Sequence, residues 1–246
     1  MTKVAAFLGV MIAAQSAVAA EIKVLSAGAI EPGLKAAAAA FQKGSGHEVK
    51  ISFNTAPQIR KRIDGGEVQD VVIAPPAAIE EFAKAGKLTG ERASVGRVGM
   101  GVAVRPGAPV PDISSAAALR KSVLDAESIV FNRASTGLYF EGLLKKMEVY
   151  DQVEKKTTRY ADGASVMEHV LKGKGREIGF GAITEILQHR DQGLRLVGPL
   201  PAEVQNYTSY TAAVMSGAPA AGAAKDFVRY LGTPEAKAAF ATAGIE

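Results

Sequence analysis

Residues 22–53, IKVLSAGAIEPGLKAAAAAFQKGSGHEVKISF, decide the fold class. Ile22 to Ser26 is a short β-rich run. Leu34, Ala38 and Phe41 then recur at helical spacing, supported by the alanine run Ala36 to Ala40, a good helix former. Gly44-Ser45-Gly46 ends that helix, and Val49 to Phe53 returns to a strand. Two strands joined by a helix pair in parallel through a right-handed crossover. The unit repeats at once. A helix opening near Pro57 carries Ile59 and Ile63 and stops at Gly65-Gly66, Val71 to Ala74 is a third strand, and a helix over Ala77 to Ala85 closes at Gly86. This order predicts an α/β fold with a mostly parallel sheet flanked by helices.

Beyond Gly86 the pattern changes. Val98 to Val104 alternates Gly with Val and Met, then meets the turn-rich break Pro106 to Pro111. A second α/β set follows, with helices at Ser114 to Ala126, Thr136 to Met147 and Ala164 to Leu171. Its strands lie at Ser128 to Phe131, Thr157 to Tyr160 and Glu177 to Gly181. Pro199-Leu200-Pro201 makes another break, Tyr207 to Met215 reads as a strand, and helices at Ala220 to Leu231 and Pro234 to Ala243 end the chain. Two α/β units joined by two crossing segments predict two lobes. Lobe one is expected over residues 21–102 plus 207–246 and lobe two over 103–206, with the ligand cleft between them.

Ahead of the first strand, Met1-Thr2-Lys3 gives a positive start, Val4 to Ala14 is apolar, and Ala17-Val18-Ala19-Ala20 supplies small residues. This is the order of a cleavable signal peptide over residues 1–20, cut after Ala19 or Ala20. The apolar run is too short for a membrane span, which needs about 20 residues. A periplasmic, soluble, monomeric mature protein is expected. The chain has no Cys, which removes disulfides, thiolate zinc sites and thiol catalysis. Trp is absent and aromatics make up 6%, which argues against a carbohydrate cleft of stacked rings. The whole chain carries a formal +4, and loss of Lys3 leaves +3. That suits a small anionic ligand, while the scattered charges predict no nucleic-acid partner.

In open α/β sheets, ligands bind outside the carboxyl ends of the strands, where helix N-termini converge. Four such turns stand out: Ser26 to Ala29, Asn54 to Pro57, Arg133 to Gly137 and Asp162 to Ser165. A helix N-terminus favours anions through its free N–H groups. The candidate binding residues are Ser26, Gly28, Ala29, Asn54, Thr55, Arg133, Ser135, Thr136, Gly163 and Ala164. Gly28 allows close backbone approach, the hydroxyls donate, and Arg133 offers a bidentate fork to a carboxylate. Ser and Thr at these positions serve equally as plain N-caps. Arg60, Lys61 and Arg62 read as a solvated face. His47, His169 and His189 stand apart with no carboxylate at ligand spacing, so no metal is expected. No nucleophile elbow, P-loop or G-x-G-x-x-G occurs, so no cofactor and no catalytic residue is assigned.

The run Ile22-Lys23-Val24-Leu25-Ser26-Ala27-Gly28-Ala29 resembles the opening of the molybdate-binding protein family. Gly46-His47-Glu48-Val49, Asp70-Val71-Val72-Ile73 and Glu177-Ile178-Gly179 extend the resemblance over nearly the whole mature chain. These are the periplasmic, type II binding components of ABC importers. The resemblance implies a two-lobed type II fold, a permease partner, the four turns as binding turns, and Ala164 as a backbone donor. It also marks departures. Where the family offers a hydroxyl, a serine pair and a hinge tyrosine, this chain has Ala29, Thr55-Ala56 and Ala182. Each lost donor costs about 1–3 kcal/mol. The expected ligand is therefore an organic di- or tricarboxylate rather than molybdate or tungstate. A periplasmic aconitate isomerase resembles the same proteins. The alternative expectation is thus an allylic proton shift on a tricarboxylate, served by Arg133 with Ser135, Thr136 or a cleft-facing His169.

Overall fold

The computed structural model describes residues 19–246. The expected signal peptide lies outside the described residues up to position 18. The first unit runs β1 (Glu21–Ala27), α1 (Glu31–Ser45), β2 (Glu48–Asn54), α2 (Ala56–Asp64), β3 (Val71–Ala74) and α3 (Pro76–Lys84). A single 3-10 turn, Gly28–Ile30, leads into α1. Leu34, Ala37, Ala38 and Phe41 bury one face of α1, and Gly46 ends it with φ of 74°, a left-handed value that glycine adopts without strain. All four residues of β3 are buried, as a strand with both faces covered requires.

β4 (Leu88–Val104) is 17 residues long and serves both lobes. The second unit comprises α4 (Ala116–Asp125), β5 (Ser128–Asn132), α5 (Ser135–Lys146), α6 (Tyr150–Val153), β6 (Thr157–Tyr160), α7 (Gly163–Lys172), β7 (Glu177–Ala182), α8 (Ile183–Leu187) and β8 (Arg195–Pro199). The chain then returns through β9 (Tyr207–Met215) to α9 (Ala221–Leu231) and α10 (Pro234–Thr242).

Strand order is β2-β1-β3-β9-β4-β7-β5-β6, with β8 also on β4. β1 pairs in parallel with β2 and β3, and β5 in parallel with β6 and β7. The crossing strands are antiparallel to their neighbours. From Leu88 to Gly99 β4 pairs with β9, and from Met100 onward with β7 and β8. The change of partner comes three residues before the expected lobe boundary at Val102. α9 packs on β4 and β9, and α10 on α1, so both C-terminal helices cover the first unit.

Each unit has its own core. Ile22, Leu25, Val72, Phe227 and Phe240 belong to the first. In the second, the Phe140 and Phe180 rings stack at 3.9 Å and Phe131 meets Phe140 edge-on at 5.3 Å, each contact contributing about 0.5–1.5 kcal/mol beyond burial. Asp70 fastens the first unit: its buried carboxylate accepts the N–H groups of Lys23 at 2.8 Å and Ala220 at 2.6 Å. Among the described residues, no helix is long and apolar enough to cross a membrane.

Candidate functional site

A cavity of about 380 Å³ opens where the carboxyl ends of β1, β2, β5 and β6 hand over to helices. The first turns of α2, α5 and α7, and the 3-10 turn before α1, all contribute to its wall. Each helix N-terminus leaves backbone N–H groups without an intrahelical partner, so four sets of donors face one space.

Local sequence builds each turn. At α2, Thr55 and Gln58 form a capping box: the Gln58 side-chain oxygen accepts from the Thr55 N–H at 2.8 Å and from its hydroxyl at 3.0 Å. Beside it the Asn54 oxygen accepts from Arg62 at 3.1 Å, and Arg62 in turn holds Glu67. At α5 the buried Asn132 organises the turn. Its side-chain oxygen accepts from Ala134 N–H at 2.9 Å and Gly137 N–H at 3.0 Å, while its amide donates to the Thr136 hydroxyl at 3.0 Å. A Cβ at Gly137 would overlap the Asn132 carbonyl oxygen, so the turn needs glycine there. At α7 Asp162 is the N-cap, accepting from Ser165 N–H at 2.8 Å.

The cavity brings together Gly28, Ala29, Asn54, Thr55, Ser135, Thr136, Gly163 and Ala164 of the expected residues. Two do not reach it. Ser26 is fully buried on β1, its hydroxyl donating to the Ala27 carbonyl at 3.2 Å. Arg133, expected as the carboxylate fork, is exposed and absent from the wall. Its backbone N–H donates to the Tyr160 carbonyl at 2.8 Å, continuing the β5–β6 ladder past Asn132. With Asn132 turned inward to build the turn, its neighbour faces solvent. His169 also lies off the wall, its Nδ1 2.9 Å from the Tyr160 hydroxyl.

Other residues complete the site. Glu31, Gln58, Asp162, Glu185, His189 and Tyr210 line the cavity, and no Lys or Arg does so among the described residues. Glu185 and His189 come from α8 and the turn after it, where β7 ends. This fifth strand-to-helix handover, Ala182-Ile183-Thr184, is visible in sequence as small and hydroxyl residues after a strand. The buried Thr184 hydroxyl donates to the Ala29 carbonyl at 2.5 Å, tying α8 to the first binding turn. Burial raises Glu185 to about 7; the Ala182 N–H pulls the other way, and Asp162 and Glu31 add to the rise. Tyr210 is pushed well above the usual phenol range by burial and by Glu185. His189 Nδ1 is 3.0 Å from the Glu185 backbone oxygen, which only accepts, so the ring donates there. Among the described residues, no group of three or more acidic or His side chains could hold a metal.

Residues 22–246 match the family model of the bacterial extracellular solute-binding proteins. An aconitate isomerase from a Pseudomonas species is 27% identical over 231 residues, 92% of this chain and 87% of that protein. The periplasmic molybdate-binding protein of Azotobacter vinelandii superposes with a TM-score of 0.78 at 19% identity, covering 92% of this chain and 98% of its own. The sulfate-binding protein of Mycobacterium tuberculosis H37Rv gives 0.75 at 17% identity, covering 92% and 86%. The likeness to these structures is one of fold, the two-lobed type II architecture. With the family match running from the first strand to the last residue, this chain belongs to the bacterial extracellular solute-binding proteins.

Proposed function

We propose that the chain captures a small organic anion, a di- or tricarboxylate, between its lobes in the periplasm and delivers it to an ABC importer. The observation that carries this reading is the convergence of four helix N-termini on one cavity whose wall bears no Lys or Arg among the described residues. Backbone N–H groups then hold the negative charge. Size and polarity favour a carboxylate over a metal oxyanion. Ala29, Ala56 and Ala182 leave the wall without the larger hydroxyl side chains that a tightly held tetrahedral ion would use. Beyond the bonds to Lys35 and to Ser165 N–H, Glu31 and Asp162 keep acceptor positions, which a hydroxylated or partly protonated polycarboxylate satisfies and an ionised metal oxyanion does not. A ligand that binds only the native state adds about 2.7 kcal/mol at a hundredfold excess over Kd. Citrate should therefore raise the melting temperature by several degrees while molybdate does little. The reverse result would sink the carboxylate reading.

A second reading is an isomerase acting on aconitate, favoured by Glu185 and His189 on the cavity wall. A base with a pKa near neutral removes a proton from the substrate methylene, the double bond shifts, and the proton returns at the far allylic carbon. Helix N-termini around the substrate carboxylates stabilise the charge that develops meanwhile. Proton NMR of cis-aconitate with purified protein tests it. Appearance of the trans isomer decides for turnover, and an unchanged spectrum for binding alone.

A further inference from the structure

The acid–base inventory of the cavity is lopsided. Its wall carries three carboxyl side chains, Glu31, Asp162 and Glu185, with one imidazole, His189, and one phenol, Tyr210. Two of the carboxyls are already engaged. Glu31 holds Lys35 at 2.5 Å, and Asp162 caps α7. Glu185 has no cationic partner among the described residues; the Ala182 N–H is the group that lowers it. Its carboxyl lies so close to Gly163, the first residue of α7, that a Cβ there would overlap it. It therefore stands at one of the four helix ends that face the cavity, half-buried in the wall.

An anion seated on the N–H groups of α7 lies beside that carboxyl. Two negative charges at contact distance in a sheltered site do not both persist; one is neutralised. The ligand draws on all the helix ends around the cavity, whereas Glu185 stands at one of them, with a single N–H from Ala182, and faces Asp162 and Glu31. We propose that Glu185 engages the captured anion as a neutral carboxylic acid, donating its O–H to a ligand oxygen, so that one proton enters the cleft with each anion. This rests on the reading of the cleft as an anion site and names the residue that sets its preference for acceptor oxygens. The proton comes from solvent and no covalent bond in the ligand breaks. With Glu185 raised to about 7, the free protein exchanges this proton in the neutral range. The other titratable groups facing it are Asp162 from α7, Glu31 from α1, His189 beyond α8 and Tyr210 from β9.

Titration calorimetry in buffers of different ionisation enthalpy counts the protons. Citrate and molybdate serve as separate probes, between pH 6 and 8.5, with the wild-type mature chain and Glu185→Gln. The wild type should take up a fraction of a proton at pH 6, rising toward one per anion at pH 8.5. Its affinity should fall toward tenfold per pH unit above 7. Glu185→Gln, a neutral donor of the same size, should bind with no uptake and a flat pH profile. Uptake that persists in Glu185→Gln assigns the proton to His189 or the ligand and overturns the proposal. Wild-type binding without uptake overturns it too, whether or not the variant folds. Molybdate binding without citrate binding ends the carboxylate reading and leaves the proton count standing. Binding of neither anion ends the anion reading and this inference together.

Discussion

The carboxyl of Glu185 sits between opposing influences, burial beside two other acids and the N–H of Ala182, and burial wins. Its raised value has a consequence for stability. Between its ordinary 4.5 and about 7 the native state holds a proton that the unfolded chain releases. The stability this contributes is fully present below about 4.5 and is lost as pH rises to about 7. At 1.36 kcal/mol per unit, the loss is about 1–3 kcal/mol for a group that still faces the cavity. Urea midpoints for Glu185→Gln should fall less than those of the wild type across that window; parallel curves would mean an ordinary carboxylate. Arg133 invites the opposite test. Exposed and off the wall, its replacement by Ala should leave citrate affinity within about twofold, since surface charges contribute ~0–1 kcal/mol. A tenfold loss in calorimetry would return it to the site. Residue type alone points to Arg133 as the anion binder and leaves Glu185 unremarked. Charge is legible in a sequence, whereas burial among Gly163, Ala182 and Glu31 is a property of the folded chain.

Elements matter here mainly for how they begin. The turn from β5 into α5 depends on Asn132 filling the space a side chain at position 137 would need. Gly137→Ala drives a Cβ into the Asn132 backbone carbonyl, so a loss of about 3 kcal/mol or more is expected in chemical denaturation. A loss under about 1 kcal/mol would show that the turn can open without cost. Strong periodicity made most elements readable: β3, β6 and β9 span the residues expected of them, and α1, α2 and α7 begin and end within a few residues of expectation. β8 and the helical character of α8 are not legible, although small and hydroxyl residues mark the turn at Ala182 to Thr184. A helix of five residues shows no full period, and β8 carries Gly198 and Pro199 where a strand pattern would need branched or aromatic residues. The cost of missing α8 is high, because it supplies Glu185 and the Thr184 bond to Ala29.

At the scale of the whole molecule, one strand and one carboxylate hold distant parts of the chain together. β4 pairs with β9 in its first part and with β7 and β8 beyond Gly99, so the two units meet along a shared backbone. Asp70 joins β1 to the start of α9, 150 residues away. Asp70→Ala strands two N–H donors in the core and should lower stability by about 2–4 kcal/mol, with a matching drop in melting temperature. A shift of under a degree would mean that water replaces the carboxylate. The alternation of strands and helices, the break near the crossing strands and the turns after β1, β2, β5 and β6 follow from the order of residues alone. Periodicity and turn chemistry are local, so they survive in a one-dimensional string. The wall of the cavity does not. Its charge balance and the near-neutral Glu185 arise where segments distant in sequence, α1 with Glu31 and α8 with Glu185, pack against one another. Only tertiary structure sets which groups lose water and which charges they face.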